Sequence, residues 1–215
     1  TAGLVHDLTD YIATDLAFDQ VDFYKQIWQG VRWQERIWWM PQAANMRMLF
    51  YDKDAYALAG HPEPSLGWTW ADMSQDIAAL IPAQPEGRHD LSWGYMDVGL
   101  DTLFSYAFNW DSRCAETSDI ACQYQLQTQN VAAAFEWYDS MVGQPGLIPD
   151  FTELIPFEAN ILLMNFQGAR RQAVIWVDGA VNYEHQLLLA NTGIVPFPGS
   201  DKYGGISPLW VYGNF

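Results

Sequence analysis

The sequence predicts an α/β fold, because strand-like and helix-like segments alternate along it. Three stretches carry the prediction. Met46, Met48 and Phe50 alternate with Arg47 and Leu49, the period of a strand, and the run feeds directly into DKDAYALAG, a short helix. TWADMSQDIAAL sets Trp70, Met73, Ile77 and Leu80 on one helical face behind a capping box of Thr69 and Asp72. QAVIWV reads as a further apolar strand, closed by a turn at Asp178-Gly179.

Taken in order, residues 2–15 begin as a short apolar strand end and become a polar turn. Asp19 caps the helix DQVDFYKQIW with Asp22 three residues on, and Phe18 and Phe23 stand where a hydrophobic staple would place them. After the extended segment that runs from Trp38 through MRMLFY, Asp52 or Asp54 caps the next helix, Tyr56 and Ala59 repeat at helical spacing, and Gly60 supplies the left-handed stop. HPEPSLGWTW is a proline-rich loop, and IPAQPEGRHD is another. LSWGYM is a short strand, followed from Asp97 by a helix with Leu100, Leu103, Phe104, Ala107 and Phe108 inward. TQNVAAAFEWYDSMV is a helix with Val131, Ala134, Phe135, Tyr138 and Met141 or Val142 on one face, ended by Gly143. A helix ending near Gly168 precedes QAVIWV, and VNYEHQLLLAN is a helix closed by Asn191 and Gly193.

Composition narrows the function. Of 215 residues, 50% are hydrophobic and 17% charged, the balance of a folded chain and not a disordered one. No run reaches the apolar length that spans a bilayer. A net charge of −16 repels nucleic acid and anionic membrane, and argues mildly against an anionic ligand. Cys114 and Cys122 bracket a polar loop, a spacing that suits a disulfide in an exported protein; two free thiols in a cytosolic chain are the alternative. The four histidines are scattered, so neither a metal site nor a cofactor is expected. No nucleophile elbow, phosphate loop, dinucleotide fingerprint or HExxH motif occurs, which leaves no catalytic residue to name.

Tryptophan is the informative residue. Eleven occur, and Trp38, Trp39, Trp93, Trp176 and Trp210 fall at expected strand ends or loops. A pyranose offers one apolar C–H face, which an indole covers, and a rim of hydroxyls, which short amides and carboxylates satisfy. Core packing is the ordinary alternative for each of these rings. Plentiful acids keep a tryptophan-rich glycoside hydrolase in view, since two carboxylates across a cleft suffice for that chemistry; a non-transport carbohydrate-binding domain is the other alternative.

Several motifs together resemble a known family. WWMPQAANMRMLFYDKDAYALAG, TWADMSQDIAAL, PFEANILLMNFQGARRQAVIWVDGA and GIVPFPGSDKYGG are similar to segments of extracellular solute-binding proteins of the sugar-binding, maltose-binding-protein type (family 1). These proteins capture ligand for ABC importers. RWQERIWWMP has the family's tight turn between two strand ends, with Gln34 and Glu35 where the turn glycine stands, and Asp52 replaces the usual Asn after Tyr51. The resemblance covers nearly the whole chain but the middle part of a full-length member, which implies a fragment lacking both ends. It implies a periplasmic-binding-protein-like type II fold, mostly one lobe plus part of the other. Residues 1–51 and 192–215 would belong to the first lobe with hinge crossings at Pro41 and Pro196, and residues 52–191 to the second. Asn45 and Asp101 fall where the family places ligand contacts, as do Trp176 and Asp178; Trp39 and Trp210 join them as aromatic plates. The implied partners are a carbohydrate and ABC permease subunits. The implied location is extracellular or periplasmic, peripheral to the membrane through a lipid anchor.

Overall fold

The computed structural model of the protein describes residues 5–81, 93–96, 100–109, 129–144, 147–148, 173–180, 191–200, 204–205 and 207–214. Along them run α1 (Thr9–Thr14), α2 (Lys25–Gly30), β1 (Arg32–Trp33), β2 (Arg36–Ile37), β3 (Met40–Asp52), α3 (Lys53–Ala59), α4 (Trp70–Leu80), β4 (Trp93–Met96), α5 (Leu100–Asn109), α6 (Gln129–Asp139), β5 (Ala173–Gly179), β6 (Thr192–Val195) and β7 (Leu209–Asn214). They fall into two compact units, with joints inside β3 after Asn45 and at the start of β7 after Pro208.

The first unit holds the described residues up to Asn45, together with β7. Its opening segment is not a polar turn: Asp7 accepts from the backbone N and hydroxyl of Thr9, and α1 follows, burying no residue. The helix expected from Asp19 is also broken. Asp19 accepts from Val21 N and starts only a 3-10 turn, and α2 begins at Lys25. Phe18 and Phe23 do meet, 5.6 Å between ring centroids, and both pack on Trp28. Trp28, Val31 and Ile37 form the unit's core. β1 and β2 pair antiparallel across Gln34 and Glu35, whose φ angles of 51° and 60° make the left-handed turn without a glycine.

The second unit holds the described residues from Met46 to Pro208. Its strand order is β4-β5-β3-β6, with β3 antiparallel to β5 and β6, and β4 parallel to β5. A central strand buries both faces. Leu49 and Tyr51 enter the main core beside Tyr56, Met73, Ile77 and Leu80, whereas Phe50 joins Met96 and Trp176 in a second cluster. Asp52 caps α3 by accepting from Ala55 N, and Gly60 closes it at φ 63°. Thr69 and Asp72 form the reciprocal capping box of α4.

The extended segment expected ahead of DKDAYALAG is present as β3, from Met40 to Asp52. Four other expectations change. Asp178 and Gly179 are not a turn but the last rungs of β5, opposite Met48 and Arg47, because β3 runs on beside them. Gly193 does not stop a helix; it lies in β6, where a Cβ would sit 2.0 Å from the Tyr51 ring. On α5 the buried positions are Asp101, Thr102, Ser105 and Ala107, while Phe104 is exposed. Ala107 is inward as expected, and polar partners explain the rest: Asp101 meets Arg47, and the Thr102 hydroxyl meets the Tyr95 hydroxyl. Phe135 of α6 is exposed as well, and Trp137 packs instead, stacked on Tyr106 and donating to Ser74 Oγ. The cysteine pair, the helix near Gly168 and the helix before Asn191 lie outside the described residues.

Candidate functional site

Arg47 is the only cation of β3. It stands in an apolar run that becomes the middle of a sheet, so its charge has to be met inside the protein. Nε donates to Asp101 Oδ2 at 2.9 Å, and Nη1 lies 3.8 Å from Asp178 Oδ1. Relative exposures of 8% for Arg47, 4% for Asp101 and 2% for Asp178 make this a buried cluster. Asp101 comes from the first turn of α5, where a carboxylate also suits the positive end of the helix. Asp178 comes from β5 and accepts in addition from Gly179 N at 2.7 Å. Arg47 N donates to Pro208 O at 2.8 Å, so the cluster stands beside the last residue of this unit before its second joint.

Trp176 lies two residues before Asp178 on β5, hence on the same strand face. Its ring stacks on Phe50 at 6.0 Å and 17°, so one aromatic face is already covered. Its Nε1 is shielded from solvent and has no hydrogen-bond partner, and the residue is 6% exposed. A buried, unpaired N–H is costly, and a ligand oxygen would satisfy it.

The remaining candidates lie in the first unit. Asn45 is half-buried, and its Oδ1 is a shielded acceptor without a partner. Trp39 is half-buried against the Trp28 core, and Trp210 is exposed on β7. The two other tryptophans of interest are engaged: Trp38 Nε1 donates to Trp33 O, and Trp93 packs against the Phe50–Trp176 cluster. The structure therefore gathers Asp101 and Asp178 on Arg47, with Trp176 on the same strand as Asp178. In the sequence Arg47 stands out only as the one cation in the apolar run MRMLFY.

A separate buried carboxylate, Asp76 of α4, accepts from Tyr56 Oη at 2.9 Å and lies 3.1 Å from His61 Nδ1. Burial holds its pKa above the ordinary value, opposed by the Tyr56 hydrogen bond and by His61; burial likewise pushes the Tyr56 hydroxyl up. Among the described residues, no group of three His, Cys, Asp or Glu side chains is placed to hold a metal ion. No described helix is long and apolar enough to cross a membrane.

No family model matches the sequence, and no curated protein matches it. Solved structures do. An ABC substrate-binding protein of Listeria monocytogenes, in complex with cycloalternan, superposes with a TM-score of 0.72 at 18% identity, covering 99% of this chain and 52% of that one. Maltose-bound MalE3 of T. maritima gives 0.65 at 18% identity, with 99% and 53% covered. The sugar-binding protein MalE of Xanthomonas citri gives 0.58 at 23% identity, with 97% and 52% covered. The fold is thus the type II periplasmic-binding-protein-like α/β fold. The chain spans about half the length of the proteins it matches.

Proposed function

We propose that the chain is part of the substrate-binding component of a carbohydrate ABC importer, which captures a sugar or oligosaccharide between two lobes and delivers it to permease subunits. One observation carries the reading: 99% of the chain follows the fold of binding proteins whose structures hold cycloalternan or maltose. The orphan acceptor of Asn45, the orphan donor of Trp176 and the paired carboxylates of Asp101 and Asp178 support it, being groups that hydroxyl-rich ligands engage. Trp39 and Trp210 are proposed to cover sugar faces.

In this reading residues 1–51 and 192–215 belong to one lobe and 52–191 to the other, with hinges near Pro41–Asn45 and Gly193–Pro198. Sugar makes some contacts only when the lobes close, and so shifts the hinge equilibrium toward the closed form. The protein works outside the cytoplasm, as a periplasmic protein or as one held at the membrane by a lipid anchor. Cys114 and Cys122 are bridged, and no chemical step occurs. The test is calorimetry on the full-length protein with a saccharide panel. At least one saccharide is expected to bind; binding of a peptide, a polyamine or a metal ion in place of every sugar would refute the assignment. Asn45→Ala is expected to weaken that binding by about 1–3 kcal/mol, and an unchanged affinity would remove Asn45 from the site.

A further inference from the structure

We propose that Trp176 is a specificity-determining residue of this site and acts through the edge of its indole, donating one hydrogen bond from Nε1 to an uncharged oxygen of the saccharide. The oxygen is a hydroxyl or an acetal oxygen, and the ring face takes no part. The inference rests on the carbohydrate reading above.

The fold's treatment of its indoles singles this one out. Trp28 donates to Gln20 Oε1, Trp38 to Trp33 O, Trp68 to Pro196 O and Trp137 to Ser74 Oγ. Trp176 Nε1 is shielded from solvent and has no acceptor among the described residues. Trp70 Nε1 is unpaired as well, but its ring lies among those of Tyr106, Trp137 and Phe197, meeting Trp137 edge to face at 73°. An aromatic face accepts an N–H weakly. Trp176 has no such arrangement with Phe50, since their planes are only 17° apart. A buried donor left in this state costs free energy that an arriving acceptor relieves.

The same packing excludes the ring face. Phe50 lies along Trp176 at 6.0 Å, Met96 and Ala173 complete the cluster, and 6% of the residue is exposed. A pyranose needs an open ring to lie on, so this indole is no stacking platform. Its place in the sheet suits a ligand all the same. Trp176 is paired with Met96, the last residue of β4, and β5 runs on to Gly179 beyond it. The carboxyl ends of parallel strands are where open α/β sheets receive their ligands. An indole N–H only donates, so the group it selects must present a lone pair. A hydroxyl or acetal oxygen does so, and an ammonium does not.

The experiment uses the full-length protein with isotope-labelled indole nitrogens, as wild type, Trp176→Phe, and a form with benzothienylalanine in place of Trp176. The last keeps the bicyclic ring and exchanges the N–H for sulfur. Loss of one resonance in Trp176→Phe assigns the Nε1–H signal. In sugar-free wild type that proton is expected at the upfield end of the indole range, as an unbonded N–H. A downfield position there means a resident acceptor and overturns the proposal. Each protein is then titrated with a panel of neutral saccharides that includes gluco-, manno- and galacto-trisaccharides. The tightest binder is expected to move the wild-type resonance downfield. Both substitutions are expected to weaken its binding by about ten-fold, which corresponds to about 1.4 kcal/mol.

A packing role would be lost in Trp176→Phe and kept with benzothienylalanine, so wild-type affinity in the second form overturns the proposal. Analogues of the tightest sugar, with one oxygen at a time deleted or replaced by sulfur, locate the acceptor. For one of them wild type and the benzothienylalanine form are expected to bind equally. A constant gap of about ten-fold across the whole set overturns the proposal. Sugar binding that leaves the resonance unmoved also overturns it, with the carbohydrate reading intact. Binding of no saccharide by wild type refutes the carbohydrate reading, and this proposal with it.

Discussion

At the scale of single residues, burial decides which charges matter. A buried guanidinium stripped of its partners is destabilising by about 3–5 kcal/mol, which is why Arg47 needs Asp101 and Asp178 close by. Asp76 shows the converse case. Its folded-state pKa lies above the ordinary value of 3.8, so the folded protein binds that proton more tightly than the unfolded chain does. The stability it contributes is whole below 3.8 and is lost as pH rises through the raised value. Asp76→Asn keeps an acceptor for Tyr56 and has nothing to titrate. The variant is expected to lose the fall in stability just above pH 3.8, as read by urea unfolding across pH; an unchanged pH profile would show that Asp76 is not its source. Neither cluster was legible in the sequence. Arg47 and Asp101 are 54 positions apart, and no local pattern links them.

At the scale of elements, local signals were readable and tertiary ones were not. The Asp52 cap, the Gly60 stop and the Thr69–Asp72 box each involve residues within one helical turn or at its end, and each is present. α1 has no fully buried residue, and Ile12 alone of its six residues packs on the Trp28 core, too little to make an apolar stripe. On α5 Ala107 is buried as its spacing implies, but Phe104 is exposed, because the interior offers Arg47 and Tyr95 as partners for the polar side of the helix. The β1–β2 turn was expected from its flanks even without glycine. Its two left-handed residues still carry steric strain, of order 1–2 kcal/mol each for a side chain with a Cβ. Glu35→Gly is therefore expected to stabilise the chain by about 1 kcal/mol in urea or thermal unfolding. A loss of stability would mean that the Glu35 side chain makes up for its backbone.

At the scale of the whole molecule, strand and helix alternation was enough for the α/β class, and the motifs around Pro41, Thr69 and Pro196 for the type II fold. The candidate site was only partly legible: Asp101, Asp178 and Trp176 were named, but the residue that joins the two acids was not. The proposed function requires that a saccharide binds and that binding closes a hinge. Small-angle scattering of the full-length protein, with and without a saturating saccharide chosen by calorimetry, tests both parts at once. Closure on the sugar is expected to give a smaller radius of gyration, with no such change for a non-binding sugar. A radius of gyration that stays the same at saturation would rule the closure out.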